Sequence, residues 1–247
     1  MHRKTANVTI EKGKVAFLSD THILLDLNQD RRIINDIHMI VNDPAYKAVF
    51  LIGDIFECWK YGNFKWNERE TFEKYQQAIE KYPDLLDILK NPKVYFLHGN
   101  HDFCLTENDV EFDVYTRITL NKDILITHGN DADNYNNAAL AKGRARWLVI
   151  FDWLTDRFYK LLGVDKIRTD NALSAVVFAA SKRDEIYYNW ADAQPYRAVV
   201  MGHTHRPRNM KLHNVQYVNT GSGYDEMEYV IYDIDSNTFI EMQKIAG

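Results

Sequence analysis

The chain is poor in cysteine, proline and glycine, and it carries no excess of positive charge. Of its 247 residues only two are cysteines, Cys58 and Cys104. Two thiols build neither a disulfide framework nor a zinc–thiolate cluster, and they suit a reducing compartment. Five prolines and 11 glycines exclude a collagen-like repeat and a long flexible linker. Thirty Lys and Arg against 35 Asp and Glu leave a net charge of −5, so no global basic field draws the chain to nucleic acid. No apolar run approaches the roughly 18 residues of a membrane-spanning helix. The basic start, Met1-His2-Arg3-Lys4, is followed by Asn7, Thr9, Glu11 and Lys12 where a secretion signal needs an apolar stretch. With 46% apolar and 26% charged residues, the composition is that of a folded domain, expected to be cytoplasmic and to run as one unit over residues 1–247.

What is present is a repeated pattern of short apolar runs that end in polar residues. Val15–Leu18 leads into Ser19-Asp20-Thr21-His22, and Ala48–Ile52 leads into Gly53-Asp54. Val94–Leu97 leads into His98-Gly99-Asn100-His101-Asp102, and Ala198–Met201 into Gly202-His203-Thr204-His205. A fifth run, Ile124–Ile126, ends at Thr127-His128-Gly129-Asn130. Continuous β-branched and aromatic runs of this length read as strands buried on both faces. Ile33, Ile34, Ile37, Ile40 and Val41 recur at helical spacing over 29–42, and Phe72, Tyr75 and Ile79 over 67–82, where Pro83 ends the pattern. Alternating strands and helices predict an α/β layered fold, in which ligands bind at the carboxyl ends of the strands. Val215–Val218 and Tyr229–Ile234 read as a closing antiparallel edge. Residues 131–195 break the rhythm with a helical insertion centred on Trp147–Leu154, amphipathic with a wide apolar side.

The strand ends hold Asp20, His22, Asp54, Asn100, His128, His203 and His205. Carboxylate, carboxamide and imidazole donors without thiolate suit Mn, Fe, Zn or Co. Seven groups exceed one tetrahedral ion and suit two ions sharing a carboxylate, a geometry that clamps a phosphoryl group. In an extended chain, Asp20 and His22 point the same way, as do His203 and His205, so each pair is expected to converge by strand alternation. A single buried Asp or His is ordinarily a satisfied polar residue. Five such clusters without a metal would be costly to bury. His2, His38, His98 and His213 keep the ordinary reading, and both cysteines read as packed thiols.

Asp20-x-His22, Gly53-Asp54-x-x-Glu57, Gly99-Asn100-His101-Asp102, Thr127-His128-Gly129 and Gly202-His203-Thr204-His205 resemble, in order and spacing, the calcineurin-like metallophosphoesterases over roughly residues 14–221. The resemblance implies a two-sheet β-sandwich flanked by helices and two divalent ions, with Mn leading and Fe, Zn, Ni or Co as alternatives. It assigns Asp20, His22, Asp54 and His205 to the first ion, Asp54 as the bridge, and Asn100, His128 and His203 to the second. Gly53–Trp59, the helical insertion and the Gly202–Pro207 stretch are similar to the UDP-2,3-diacylglucosamine hydrolase branch. His101 stands where that branch carries Arg. Lys60–Phe64 replaces its acidic stretch, and Asn130 replaces its Asp.

The chemistry expected of such a site is hydrolysis by a hydroxide held between two ions. His101 is placed to protonate the leaving oxygen. Asp102 either orients His101 or caps its own loop, and Glu57 either supports the ligands or is a structural hydrogen-bonder. Arg206 either meets a phosphate oxygen or is solvated. The apolar face around Trp147 packs on the body, caps a lipid or nucleobase, or forms a dimer contact. Arg144, Arg146, Arg157, Lys160, Lys166, Arg168, Lys182 and Arg183 make the insertion locally basic. The leading expectation is a phosphodiesterase or pyrophosphohydrolase acting on a nucleotide-like or other small phosphorylated substrate. UDP-2,3-diacylglucosamine hydrolysis is the rival, and a non-catalytic metal-binding scaffold is the alternative of another class. A nucleic-acid substrate is disfavoured by the acidity; peripheral membrane contact and oligomeric state stay open.

Overall fold

Short runs of β-branched and aromatic residues satisfy their backbone groups by pairing and bury both faces, and in this chain they assemble two facing sheets. The computed structural model describes residues 4–25, 27–58, 68–102, 105, 110–133, 180–224, 226–240 and 242–245. One sheet contains β1 (Thr5–Val8), β6 (Arg117–Leu120), β7 (Ile124–Thr127), β8 (Ala198–Met201), β10 (Gln216–Asn219) and β9 (Arg208–Lys211), in that spatial order. The other runs β12 (Thr238–Phe239), β11 (Met227–Asp233), β2 (Lys14–Leu18), β3 (Tyr46–Ile52), β4 (Val94–Leu97), β5 (Val114–Tyr115), with β13 (Gln243–Ile245) also paired to β11. The neighbours β2, β3, β4 and β5 are parallel, as are β7, β8 and β10. The carboxyl ends of each parallel set therefore open on a common edge of its sheet.

Three apolar layers hold this arrangement. Between the sheets lie Phe17, Phe50, Ile52, Leu97, Ile118, Ile126, Val200 and Val218, with Phe17 stacked on Phe50 at 5.2 Å between ring centroids. On the outer face of the second sheet, α1 (Leu27–Asn42) buries Ile33, Ile34, Ile37, Ile40 and Val41. Each such side chain contributes about 1.5–3 kcal/mol when removed from water. The helix α2 (Glu68–Lys81) stops before Pro83, which lacks an N–H. The same proline opens α3 (Pro83–Leu89), since its fixed φ suits a first helical position. On the outer face of the first sheet packs α5 (Ala180–Asp192), through Tyr187, Trp190 and Ala191; the one-turn α4 (Asn130–Asp133) follows β7.

One expectation changes. The segments read as a joint antiparallel edge part company: β10 joins the first sheet parallel to β8, and β11 joins the second antiparallel to β2. Pattern alone shows that both are half-buried strands, but their sheet and direction follow from which partner covers them. Of the 131–195 insertion, only its beginning and the stretch from 180 onward are described. Trp147 and its apolar helix lie outside the described residues, as does Cys104. Among the described residues, no helix is long and apolar enough to cross a membrane.

Candidate metal centre

The polar loops after β2 and β3 continue side by side beyond their strands. Asp20 N–H donates to Gly53 O at 3.1 Å, His22 N–H to Asp54 O at 3.0 Å, and Glu57 N–H to Ile23 O at 2.8 Å. Gly202 N–H donates to His128 O at 3.1 Å and ties the loops after β7 and β8 together in the same way. These loops are not extended. Asp20 (φ 54°), His22 (47°), Asp54 (54°), His203 (71°) and His205 (54°) all adopt the left-handed conformation. Strand alternation therefore does not aim these pairs; left-handed residues on either side of Thr21 and of Thr204 do. Non-glycine residues there cost on the order of 1–3 kcal/mol each and persist where surrounding bonds hold them. Glycine makes the close approach possible. A Cβ on Gly99 would lie 2.1 Å from Asp54 Oδ1, and one on Gly202 would lie 2.3 Å from Asp20 Oδ2.

Among the described residues, three groups have their donor atoms within 4.8 Å of one another: Asp20–His22–His205, Asp54–His128–His203 and, behind the first, His22–Glu57–His101. In the first, the Nε2 atoms of His22 and His205 are 3.3 Å apart, and His205 Nε2 is 3.1 Å from Asp20 Oδ1. That Oδ1 is buried and accepts no hydrogen bond, despite the nearby imidazole. A buried carboxylate oxygen facing two ring nitrogens without hydrogen-bond geometry is arranged as the ligands of one cation are. Its other oxygen, Oδ2, accepts from the Ser19 hydroxyl and from His203 N–H at 2.9 Å. In the second group, His128 Nε2 lies 3.1 Å from Asp54 Oδ2 and 3.2 Å from Asn100 Oδ1. His128 Nδ1 is 2.8 Å from Ile52 O; a carbonyl only accepts, so Nδ1 donates and Nε2 is left for a ligand role. The His203 ring stands 5.0 Å from that of His128 and 5.8 Å from the buried Tyr187 of α5. The donor set is nitrogen and oxygen only, and the residues present fit divalent cations.

His101 sits between the groups. Its ring meets that of His22 edge-on at 4.8 Å, and its Nε2 is 3.9 Å from Asp54 Oδ2. Its Nδ1 is held by Glu57, 2.9 Å from Oε1 and 2.8 Å from Oε2, while His22 Nδ1 lies 3.0 Å from the same Oε2. Of the two roles left open for Asp102, orienting His101 or capping its own loop, its hydrogen bonds fit the second. Both Asp102 oxygens are taken by backbone N–H groups, Oδ1 by Gly99 at 2.6 Å and Oδ2 by Ile55 at 2.8 Å and Phe56 at 3.4 Å. Asp102 laces two loops together, and Glu57 takes the place beside the imidazole. Two signals in the sequence point to Glu57: its place in Gly53-Asp54-x-x-Glu57, and an acid set among Ile55, Phe56 and Cys58, which needs partners when buried. Ser19 and Thr220, whose hydroxyls meet at 2.6 Å behind Asp20, have no comparable signal.

Charges are strongly redistributed in the metal-free cluster. Burial would raise the Asp20 carboxyl, but His205 and His128 outweigh it and hold it at about 2. Burial opposes ionisation of Asp54 as well, yet His128 and His101 keep it well below the usual carboxylate range. Burial works against charge on the imidazoles too. Glu57 and Asp54 nevertheless raise His101 to about 9, and Asp54 raises His128 to about 10. Asp102 is pushed up to about 7 by burial and by the neighbouring Asp54 charge. Arg206 follows His205 on its loop, half buried. His98 is half buried with Nδ1 3.3 Å from Gly99 O, His38 is exposed, and the exposed His213 pairs with Asp192 at 3.3 Å.

Comparison with known proteins places these observations. The calcineurin-like phosphoesterase family model matches residues 13–207. A protein of Shewanella baltica (strain OS155) named UDP-2,3-diacylglucosamine hydrolase is 26% identical over 239 residues, covering 86% of this chain and 90% of its own. One of the same name from Shewanella loihica is 23% identical over 227 residues, covering 85% and 88%. Among solved structures, an archaeal phosphodiesterase aligns over 94% of this chain and 99% of its own, with a TM-score of 0.45 and 15% identity. A phosphoesterase from E. coli aligns over 94% and 100%, with a TM-score of 0.41 and 14% identity.

Proposed function

From the premise that this chain belongs to the calcineurin-like phosphoesterase family and is a phosphoester hydrolase, we propose that it is a two-metal enzyme cleaving a small phosphodiester or pyrophosphate with a nucleotide-like portion. The observation that carries this reading is the convergence of seven nitrogen and oxygen donors from five strand ends into two groups, one of which contains a buried carboxylate oxygen without a hydrogen bond. Asp20, His22 and His205 would hold one ion and Asn100, His128 and His203 the other, with Asp54 shared. When bound, two divalent ions, manganese by preference, supply a nucleophile from water at neutral pH and neutralise charge on phosphoryl oxygens.

The protein's own part is to position and to move one proton. His128 keeps Nε2 available because Ile52 occupies its Nδ1–H. His101, fixed through Nδ1 by Glu57 with its Nε2 3.9 Å from Asp54 Oδ2, would give a proton to the leaving oxygen. Arg206 is read as a contact for a phosphate oxygen. We read the chain as one domain whose 131–195 insertion, with Trp147 on its apolar face, selects the substrate.

A second reading, hydrolysis of UDP-2,3-diacylglucosamine itself, is favoured by the relatives of that name, which align along 86% of the chain. One experiment addresses both. The chain reconstituted with manganese is assayed on bis-p-nitrophenyl phosphate, cyclic nucleotides, a nucleotide sugar, UDP-2,3-diacylglucosamine and single-stranded DNA. The nucleotide-like reading expects the small diesters and nucleotide substrates to be cleaved fastest. Dominant turnover of the lipid sugar would favour the second reading, and no turnover of any would refute both. In the same assays, His101→Ala is expected to slow substrates with poor leaving groups by about 10²–10⁴-fold and nitrophenyl esters much less. Equal losses on both would exclude the proton-donor role.

A further inference from the structure

Glu57 is buried at 4% exposure in an apolar stretch, and two rings aim their Nδ1 atoms at its carboxylate. A carboxylate in such a place is costly unless its charge is answered. The loop pairing explains how it comes to lie there. Ile23 and Phe56 form a parallel bridge, with Ile23 N–H donating to Ile55 O and Glu57 N–H to Ile23 O. This ties the segment carrying Glu57 to the one carrying His22 and lets the longer Glu57 side chain reach His22 Nδ1 at 3.0 Å. Three residues beyond Asp54, the chain thereby delivers an acceptor to the back of an imidazole whose front faces Asp20 and His205.

The direction of these bonds follows from what each group can do. A carboxylate only accepts, and both Nδ1 atoms lie within hydrogen-bond distance of Glu57 Oε2, at 3.0 Å for His22 and 2.8 Å for His101, so both donate. A neutral imidazole has one N–H, and placing it on Nδ1 leaves the lone pair on Nε2. In His22 that is the atom 3.3 Å from His205 Nε2. The ring cannot rotate to offer Nδ1 instead without abandoning the carboxylate. His128 achieves the same with the Ile52 carbonyl. His22 differs in that its anchor is charged and is shared with His101.

We propose that Glu57 is the positioning residue of the first metal site: one carboxylate locks His22 with Nε2 toward the ion and seats His101, so ligand geometry and proton-donor geometry are set by the same side chain. This rests on the two-metal reading above. A charged acceptor behind a ligating imidazole raises its basicity and fixes its orientation, and losing such a partner typically weakens metal binding by about 10- to 100-fold. Oε2 serves both rings and Oε1 also lies 2.9 Å from His101 Nδ1, so a carboxamide that puts its oxygen at Oε2 keeps His22 but turns its NH2 toward the His101 N–H, which weakens the hold on that ring.

The test compares the metal-free wild-type chain with E57A and E57Q. Zn²⁺ is titrated into each by calorimetry, His22 is followed by long-range ¹H–¹⁵N correlation in the zinc-loaded chain, and each metal-free chain is melted. Wild type is expected to take up two ions, with His22 protonated on Nδ1. E57A is expected to bind one ion about 10- to 100-fold more weakly and the other unchanged, with the His22 signals shifted; E57Q is expected to fall between. Wild-type uptake of fewer than two ions would overturn the two-metal reading itself. Two ions in wild type with unchanged affinities and an unchanged His22 spectrum in E57A would overturn the proposal alone. Equal weakening at both sites, together with a lower melting temperature, would reduce Glu57 to a structural role and overturn it as well.

Discussion

The two ligand groups are held in different ways. His128 is pinned from behind by a strand carbonyl, Ile52 O, and its side chain is 1% exposed. His22 is pinned by a carboxylate on a neighbouring loop, and its companion His205 has a side chain 47% exposed. Each group has two buried members, and they differ at the third: His205 is exposed, whereas His203 in the Asp54 group is half buried. A carbonyl anchor is neutral and belongs to the sheet, so it changes only if the sheet does. A carboxylate anchor carries charge, is tunable, and is shared with His101.

The substitution with the largest expected effect is at the one residue the proposal assigns to both groups. Asp54→Ala is expected to abolish activity and to lower bound metal from two ions per chain to one or none, read by inductively coupled plasma mass spectrometry. Full metal content with retained turnover would remove Asp54 from the bridging position.

Next comes the contrast itself. His128→Ala leaves Ile52 O and Asp54 Oδ2 without their partner inside the core, and is expected to cost about 2–4 kcal/mol on unfolding as well as one ion. His205→Ala, at the exposed rim, is expected to cost about 1 kcal/mol or less while emptying the first site. Similar melting shifts for the two variants would erase the distinction between the buried and the exposed histidine.

A smaller effect is expected from pH in the chelated, metal-free chain. Because Asp54 raises His128 to about 10, above its ordinary 6.5, the attraction is fully present below pH 6.5 and is lost as pH rises through 10. The melting temperature in EDTA should therefore fall across that window. Added metal should counter the fall, since ions bind only the deprotonated ring. A flat profile in EDTA would mean that the His128–Asp54 contact forms only with metal. Smallest of all, Ser19→Ala removes a hydroxyl from Asp20 Oδ2 and is expected to cost about 1 kcal/mol on unfolding, with no more than a roughly tenfold loss of metal affinity confined to the first site.

Much of this was legible before any coordinates. Runs such as Val94–Leu97 and Ala198–Met201 declare buried strands by composition, and the α1 isoleucines declare a helix by period. The polar residues that follow the strands declare the chemistry, because nothing else justifies so many ionisable groups at strand ends. Asp102 and Glu57 were not separable in this way. Both are acids near His101, and only the path of the loops shows that one faces backbone N–H groups and the other faces imidazoles.

The sequence by itself determined the central strands β2, β3, β4, β7 and β8, the helices α1 and α2, the donor types and their order along the chain, since these depend on side-chain chemistry and on period, both local. Tertiary structure alone decided that Asp20, His22, Asp54, His203 and His205 turn left-handed, that β10 and β11 go to different sheets, and that Glu57 holds two rings at once. Each of these depends on a partner distant in the chain. A left-handed aspartate is unfavourable until the adjacent loop accepts its N–H, and a buried glutamate is unfavourable until two histidines turn toward it.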